Sequence, residues 1–261
     1  MSAIELSLFS LQRDGYVILP AALPSSEARD LRTRLLEQLE HARSTDIHTP
    51  GDGLSPFAKI NDREFRADMR LSLEGDVRAA VLRVLGAYGS VYTQLFPQQS
   101  EVVELGCITS RPGASQQSIH ADVKFASNAR RIYTTFVALQ DVPMEMGPTL
   151  IWKGSHTEFF CMFYKRWFKG PVDEYWAENE PVPMLMRAGD CVLMDTRVTH
   201  AGGANVSDQQ RMLMHFSFMT PTTATEPHMP LGFTNNLVPE LRARPVRMDT
   251  LADKAALELM A

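Results

Sequence analysis

Residues 187–204 read RAGDCVLMDTRVTHAGGA, and the fold prediction starts from this stretch. A short apolar run, Cys191–Met194, lies between two turn signals, Ala188-Gly189-Asp190 and Gly202-Gly203. Similar short apolar runs, also separated by turn residues, follow one another from residue 89 onward. They are Val91–Leu95, Val102–Thr109, Ile132–Val142, Met184–Met186 and Met212–Met219. Many short strands divided by turns indicate an all-β sandwich or barrel.

The N-terminal part of the chain is predicted to be mainly helical. Apolar residues recur on one helical face from Ser25 to about His41, and again over Gly75–Leu85. Ahead of them, Phe9–Leu19 is interpreted as an extended segment. The prediction is one domain, residues 1–261, with a helical part at 1–88, a β core at about 89–220 and a tail at 221–261. A short helix is expected near the end of the tail, at about Thr250–Met260.

Composition excludes several classes of function. The formal net charge is -5 and no basic stripe is present, which argues against a nucleic-acid partner. Three cysteines in a chain of 261 residues do not make a disulfide framework. The N-terminus does not resemble a secretory signal, and no apolar run is long enough to span a membrane. The expectation is a cytoplasmic protein with no membrane partner.

The motif with the clearest chemistry is Ile119-His120-Ala121-Asp122. On a strand, His120 and Asp122 point to the same side and can hold one metal ion. His200, within the opening stretch, is the best candidate for a third ligand. Two neutral imidazoles and one carboxylate suit Fe(II) and leave coordination positions open. A structural zinc site would need a fourth protein ligand, usually a thiolate.

A second candidate feature is Arg211, at the start of the apolar run Arg211–Phe216. Burying an arginine without a counter-charge is costly. The position makes sense if a ligand brings a carboxylate, because the planar guanidinium binds carboxylates through two parallel hydrogen bonds. An arginine in a surface ion pair on an edge strand is the alternative.

With these motifs in place, the sequence resembles the phytanoyl-CoA dioxygenase family of Fe(II)- and 2-oxoglutarate-dependent oxygenases. The resemblance rests on four motifs in a fixed order and on the opening phrase Gln12–Ile18. The motifs are His120-x-Asp122, Gly147-Pro148-Thr149, Gly154-Ser155-His156, and His200 followed by Asn205 and Arg211. The chain departs from phytanoyl-CoA hydroxylase itself at Ala121, Gly202 and Leu213, and is more similar to the fungal meroterpenoid dioxygenases.

The resemblance implies a mainly-β fold, a double-stranded β-helix (jelly-roll, cupin-like) core with N-terminal helices packed on it. It implies that His120, Asp122 and His200 bind iron and act in catalysis, with 2-oxoglutarate and O2 as cosubstrates. Arg211 would hold the distal carboxylate of 2-oxoglutarate. Gln117 and Thr149 match further cosubstrate-contacting positions of the meroterpenoid subset. A second cation, Lys59, Arg63, Arg66 or Arg70, could reach the iron-side carboxylate.

The expected reaction is oxidation, by default hydroxylation, of an unactivated C–H bond in a small, partly hydrophobic metabolite, as in natural product biosynthesis. His215, Phe163 and Trp167 are the candidate substrate contacts. His215 shares strand parity with Arg211, and the two aromatic residues belong to an aromatic-rich stretch between the motifs. His156 is interpreted as structural, and Asp195 and Arg197 as a pair.

Other functions and assemblies stay open at this point. One alternative is a cupin-like isomerase or hydrolase that uses the same metal ligands without 2-oxoglutarate. Another is a non-catalytic jelly-roll binding protein. A homodimer is an open expectation, because meroterpenoid relatives commonly dimerise.

Overall fold

Two antiparallel sheets form the centre of the molecule. A computed structural model describes residues 2–49, 54–58, 64–123, 131–157, 179–221 and 237–251. Its strands are β1 (Tyr16–Leu19), β2 (Arg66–Arg70), β3 (Glu101–Ser110), β4 (Ile132–Ala138), β5 (Thr149–Trp152), β6 (Val182–Pro183), β7 (Cys191–Asp195), β8 (Thr199–Gly202) and β9 (Arg211–Met219). Its helices are α1 (Ala3–Asp14), α2 (Ser25–Thr45), α3 (Gly75–Ala87), α4 (Gly89–Leu95) and α5 (Pro239–Ala243), with a 3-10 turn at Met144–Met146.

The larger sheet has six strands in the order β1-β7-β4-β9-β3-β2, and the smaller has three in the order β6-β5-β8. All pairings between these strands are antiparallel. An apolar cluster with members from both sheets, among them Ile151, Met194 and Leu213, fills the space between them. This arrangement confirms the predicted mainly-β, cupin-like core.

Strand β9 organises the interior because every one of its residues is buried. Successive side chains on a strand point to opposite faces. Met212, Met214, Phe216 and Phe218 pack in the cluster that also contains the buried residues of α2 and α3. Leu213 instead packs in the cluster between the sheets. The odd-numbered residues of β9, which include Arg211 and His215, therefore lie on the inner face.

Helix α4 replaces a predicted strand, so the expectation of a strand at Val91–Leu95 was wrong. Val91, Tyr92 and Phe96 are buried while the residues between Tyr92 and Leu95 are exposed, which is helical rather than alternating periodicity. The Tyr92 hydroxyl hydrogen-bonds to the Thr135 hydroxyl at 2.7 Å, so α4 is fixed to the outer face of the large sheet. After residue 89, the first strand is β3, which begins at Glu101.

The N-terminal segment also differs from the prediction. Residues from Phe9 to Asp14 belong to α1, and only Tyr16–Leu19 is extended. A capping box between Ser2 and Glu5 begins the helix, and Gly15 ends it in the left-handed conformation with a φ of 86°. Strands β1 and β2, both from the part expected to be helical, join the large sheet.

The helix predictions at Ser25 and Gly75 are confirmed, with α2 extending to Thr45 and α3 to Ala87. Of the predicted helix at Thr250–Met260, only Thr250 and Leu251 are described, and both are helical. The remainder lies outside the described residues. No helix in the described ranges is both long enough and apolar enough to cross a membrane.

Candidate metal and cosubstrate site

Three predicted metal ligands meet at one point. His120 Nε2 lies 3.6 Å from Asp122 Oδ1, and His200 Nε2 lies 3.7 Å from the same oxygen. One ligand atom from each residue falls within 4.8 Å of the other two. His120 lies on a single β-bridge to His200 rather than on a longer strand. Two backbone hydrogen bonds, of 3.0 and 2.7 Å, join these two residues, so the backbone itself places the imidazoles side by side.

The two imidazoles are oriented for metal binding. His120 Nδ1 is 2.7 Å from the carbonyl oxygen of Ser118, and His200 Nδ1 is 3.0 Å from that of Val198. Because a carbonyl can only accept, each Nδ1 carries the proton and each Nε2 offers its lone pair to the cluster. Burial lowers the pKa of His200, which favours its neutral form.

The donor set fits an iron(II) site. Two imidazole nitrogens and one carboxylate make the facial triad typical of non-haem Fe(II) oxygenases. The side chain of His200 is 8 % exposed, whereas those of His120 and Asp122 are 41 % and 31 % exposed. The side of the cluster formed by His200 is therefore buried, while the side formed by His120 and Asp122 is accessible to small molecules.

Arg211 is buried at the start of β9, with 1 % of its surface exposed. Its Nη1 donates a hydrogen bond to the carbonyl oxygen of Gly147, and its Nε has no hydrogen-bond partner among the described residues. Within the described ranges, no carboxylate lies at ion-pair distance from it. Burial, and then the positive charge of Arg66, lower the pKa of Arg211 to about 9. The site thus holds two neighbouring cations, an arrangement that an anionic ligand would stabilise.

Among the four cations that the sequence offered as a second contact for the cosubstrate, Arg66 lies close enough to Arg211 to lower its pKa. It is 1 % exposed, and its Nη2 donates to the carbonyl oxygens of Ser115 at 2.6 Å and Gly203 at 2.9 Å. Arg70, by contrast, donates to the carbonyl oxygen of Ser55. Lys59 and Arg63 lie outside the described residues.

Gln117 and Gly202 lie beside Arg66. The amide N–H of Gly202 donates to Gln117 Oε1 at 2.9 Å. A Cβ at Gly202 would lie 2.5 Å from Gln117 Oε1 and 3.1 Å from Arg66 Nη1. Only glycine leaves these polar groups room at this position, two residues after the ligand His200. The structure therefore places Gln117 beside Gly202 and Arg66, and its contact with the cosubstrate stays a prediction.

Thr149 on β5 pairs with Gly202 on β8, so it lies next to the pocket that Gln117, Gly202 and Arg66 form. It lines a narrow apolar gap between the sheets with six other residues. These are Phe136, Ile151, Met184, Met186, Val192 and Met194. Several of the methionines that flank the distal ligand in sequence thus form one wall of the interior.

The candidate substrate residues have different outcomes. His215 lies on the inner face of β9, with its Nε2 2.8 Å from Asp68 Oδ1. Phe163 and Trp167 lie outside the described residues. Sequence reasoning missed Asp68, although the alternation Arg66-x-Asp68-x-Arg70 could have indicated one polar face of a strand.

Two structural interpretations agree with the contacts. His156 Nε2 lies 3.1 Å from the carbonyl oxygen of Gln12, which ties the loop after β5 to α1. Burial lowers the pKa of His156, as expected for a neutral packed ring. Arg197 donates to Asp195 from Nε at 2.9 Å, so these two residues pair with each other.

Comparison with known proteins identifies relatives over most of the chain. The profile of the family described as phytanoyl-CoA dioxygenase (PhyH) matches residues 11–213. The dioxygenase af480 of Aspergillus fumigatus is 25% identical over 244 residues, covering 89% of this chain and 73% of that protein. The dioxygenase ALT11 of Alternaria alternata is 23% identical over 258 residues, covering 90% and 78%.

Solved structures share the fold. The non-haem α-ketoglutarate-dependent carbocyclase SnoK from nogalamycin biosynthesis superimposes with a TM-score of 0.60 at 21% identity, covering 84% of each chain. HygX from Streptomyces hygroscopicus, solved with nickel and 2-oxoglutarate bound, gives 0.58 at 15% identity, covering 84% of this chain and 87% of that one.

Proposed function

The chain belongs to the phytanoyl-CoA dioxygenase family and is thus an Fe(II)- and 2-oxoglutarate-dependent dioxygenase, and from this premise we propose that it hydroxylates an unactivated C–H bond of a small organic metabolite. The observation that carries the proposal is the His120–Asp122–His200 cluster beside two buried arginines. Succinate and CO2 are the expected coproducts.

One set of residues is proposed to bind the metal, and another set is proposed to bind the cosubstrate. His120, Asp122 and His200 would hold Fe(II), which with O2 and 2-oxoglutarate supplies the oxidising chemistry. Arg211 would bind the distal carboxylate of 2-oxoglutarate with the two donors of its planar guanidinium. Arg66 adds positive charge to the same pocket, and Gln117 and Thr149 are proposed to contact the cosubstrate from two sides.

The identity of the third metal ligand narrows the reaction. A carboxylate at Asp122 fills the position that related halogenases leave open for halide, so we expect oxygenation rather than halogenation. Hydroxylation is the default outcome, while desaturation, ring closure and epoxidation use the same ligand set. A partly hydrophobic substrate stays a prediction. A homodimer stays a prediction.

The two buried arginines also separate this proposal from its alternatives. A cupin-like isomerase or hydrolase needs no buried carboxylate clamp, and a non-catalytic jelly-roll protein needs no intact metal triad. Arg211 would carry an unfavourable buried charge in both cases.

Anaerobic titration with Fe(II) and 2-oxoglutarate tests the proposal. The bound pair should give the weak visible charge-transfer band of chelated 2-oxoglutarate. Arg211→Ala should weaken 2-oxoglutarate binding at least tenfold while Fe(II) binding, measured by equilibrium dialysis, stays within a factor of about three. Arg34→Ala, which removes an exposed arginine paired with Asp76, is the matched control and should change neither. A wild-type protein that gives no band would refute the proposal.

A further inference from the structure

A buried ion pair crosses the inner face of the large sheet. Asp68 on β2 and His215 on β9 are not neighbours in sequence, and their strands are separated by β3. Their side chains nevertheless meet, with His215 Nε2 2.8 Å from Asp68 Oδ1. The His215 side chain is 7 % exposed and that of Asp68 is 17 % exposed. The pair therefore lies inside the molecule with a small opening to the outside.

Gly106 on β3 creates the room for this contact. It is the register partner of both His215 on β9 and Arg70 on β2, so it lies directly beneath the pair. A Cβ at Gly106 would lie 2.7 Å from His215 Nε2 and 2.8 Å from Asp68 Oδ1. Any other residue at this position would push the two side chains apart. The glycine indicates that the pair is a built feature of the interior.

The pair leaves one hydrogen-bond donor unused. Burial lowers the pKa of His215, but the carboxylates of Asp68, Glu104 and Asp122 outweigh that effect and raise it to about 9. The imidazolium donates from Nε2 to Asp68, its only hydrogen-bond partner in the described ranges. Nδ1–H is then free to donate to a bound molecule.

The Asp68–His215 pair also lies on the inner face of the large sheet, toward the metal ligands. His215 follows Arg211 by four residues on the same face, which is about 13 Å along a strand. Beyond it, Val123, the residue after the ligand Asp122, packs against Met219 at the far end of β9. Arg211 thus occupies one end of the inner face, and His215 lies toward the end that the metal ligand approaches.

Beyond His215, a series of hydrogen-bonded polar side chains lies on the same inner face of the large sheet. The Ser217 hydroxyl donates to Glu104 Oε2 at 2.5 Å, and the Thr134 hydroxyl lies 2.7 Å from the Ser217 hydroxyl. Because a carboxylate only accepts, Thr134 donates to Ser217 and Ser217 donates to Glu104. All three residues are buried. The hydroxyl donors of Thr134 and Ser217 are thus committed, whereas His215 Nδ1 has no acceptor in the described ranges.

We propose that the Asp68–His215 pair positions the substrate, by donating a hydrogen bond from His215 Nδ1 to a carbonyl or hydroxyl oxygen near the C–H bond that is oxidised. The inference rests on the proposed function and specifies its substrate class. An oxygen of the substrate finds a hydrogen-bond donor at His215 Nδ1, whereas an ammonium group finds no acceptor at this atom. His215 acts here as a positioning residue and takes no part in binding iron or 2-oxoglutarate.

Two fragments of the same shape test this selectivity. Protein loaded with Zn(II) and 2-oxoglutarate is titrated with cyclohexanone and, separately, with cyclohexylammonium, while the ¹⁵N resonances of the histidine rings are recorded. Cyclohexanone should shift the Nδ1 resonance of His215 and bind at least about tenfold more tightly than cyclohexylammonium, as a charge-assisted hydrogen bond predicts. Equal binding of the two fragments, or no response of His215 to cyclohexanone, would overturn the proposal.

Variants separate a positioning role from a general structural one. His215→Leu removes the donor, and the preference for cyclohexanone, read from ligand-detected NMR, should fall to below about threefold. Gly106→Ala keeps both charged residues but forces them apart, and should also lower the preference. Gly89→Ala, at a glycine with nothing within 4 Å of the added Cβ, should keep the wild-type preference. An unchanged preference in both His215→Leu and Gly106→Ala would contradict the assignment.

The anaerobic Fe(II) and 2-oxoglutarate band, measured on the same proteins, distinguishes the two proposals. If the wild-type protein shows no band, both the proposed dioxygenase site and the proposed role of His215 are refuted. A protein that shows the band but binds both fragments equally refutes only the role of His215.

Discussion

Replacing Arg211 by methionine is expected to stabilise the ligand-free protein while removing its response to 2-oxoglutarate. In the folded chain, burial and the charge of Arg66 lower the pKa of Arg211 from 12.5 to about 9. At about 1.36 kcal/mol for each pKa unit, the charged arginine therefore costs the folded state about 5 kcal/mol at neutral pH. Methionine has a flexible apolar side chain that can occupy the same volume without this charge.

Part of that gain is offset by a lost hydrogen bond. Arg211 donates to the carbonyl oxygen of Gly147, which would be left without this donor, at a cost of about 1–3 kcal/mol. The net expectation is an increase of about 2–4 kcal/mol in the free energy of unfolding. Relative to the Zn(II)-loaded protein, adding 2-oxoglutarate at about one hundred times its dissociation constant should stabilise the wild type by about 2.7 kcal/mol and Arg211→Met by almost nothing.

Urea unfolding followed by tryptophan fluorescence, with EDTA, with Zn(II) alone, and with Zn(II) and 2-oxoglutarate, measures both effects. Arg34→Met is the control with the same change of charge, since Arg34 is exposed and paired with Asp76, and it should shift stability by less than about 1 kcal/mol. The reasoning would be wrong if Arg211→Met unfolded at lower urea than the wild type in EDTA and still responded to 2-oxoglutarate.

Three further outcomes are expected. Gly202→Ala should weaken 2-oxoglutarate binding in the anaerobic titration, because the new methyl group would lie 2.5 Å from Gln117 Oε1; unchanged affinity would contradict the placement of that pocket. His215 has its pKa raised from 6.5 to about 9, so its stabilising effect is complete below the unfolded pKa and is lost as the pH rises through about 9. The difference in unfolding free energy between wild type and His215→Leu should therefore shrink by about 3 kcal/mol between about pH 6.5 and pH 9.5, and a constant difference would count against the ion pair. Gly189→Ala should abolish soluble expression or lower stability by more than about 3 kcal/mol, since φ is +91° and the Cβ would lie 1.9 Å from the carbonyl oxygen of Leu23; a stable variant would contradict this packing.

The sequence predicted the metal centre well because ligand chemistry is local. His120 and Asp122 are two residues apart, and His200 has a distinctive glycine-rich follower, so the residue types alone indicated the cluster that the structure contains. Arg211 was found for a similar reason, as a charged residue at the start of an apolar run.

What sequence reasoning missed depends on tertiary contacts. Asp68 and Gly106 acquire their roles only because β2, β3 and β9 lie side by side, and no local pattern contains that order. The helix at Gly89–Leu95 was mistaken for a strand because its valine, tyrosine and threonine favour strands, while packing against the outer face of the sheet selected a helix. Burial in the folded protein thus outweighed the local preference of this segment for a strand.

The side chains on the two faces of β9 are expected to be under different selective constraints. The even-numbered side chains from Met212 to Phe218 contact the helices, while Arg211, Leu213, His215 and Ser217 alternate with them on the interior. A deep mutational scan of this strand should therefore show a repeat of two residues. Even positions should affect protein abundance and tolerate only apolar exchange. Among the odd positions, Arg211 and His215 should change 2-oxoglutarate binding and substrate preference, whereas Leu213, which packs between the sheets, should affect abundance as well. New substrates could thus be acquired by changing one face of a single strand, while the packing of the helices on the other face is preserved.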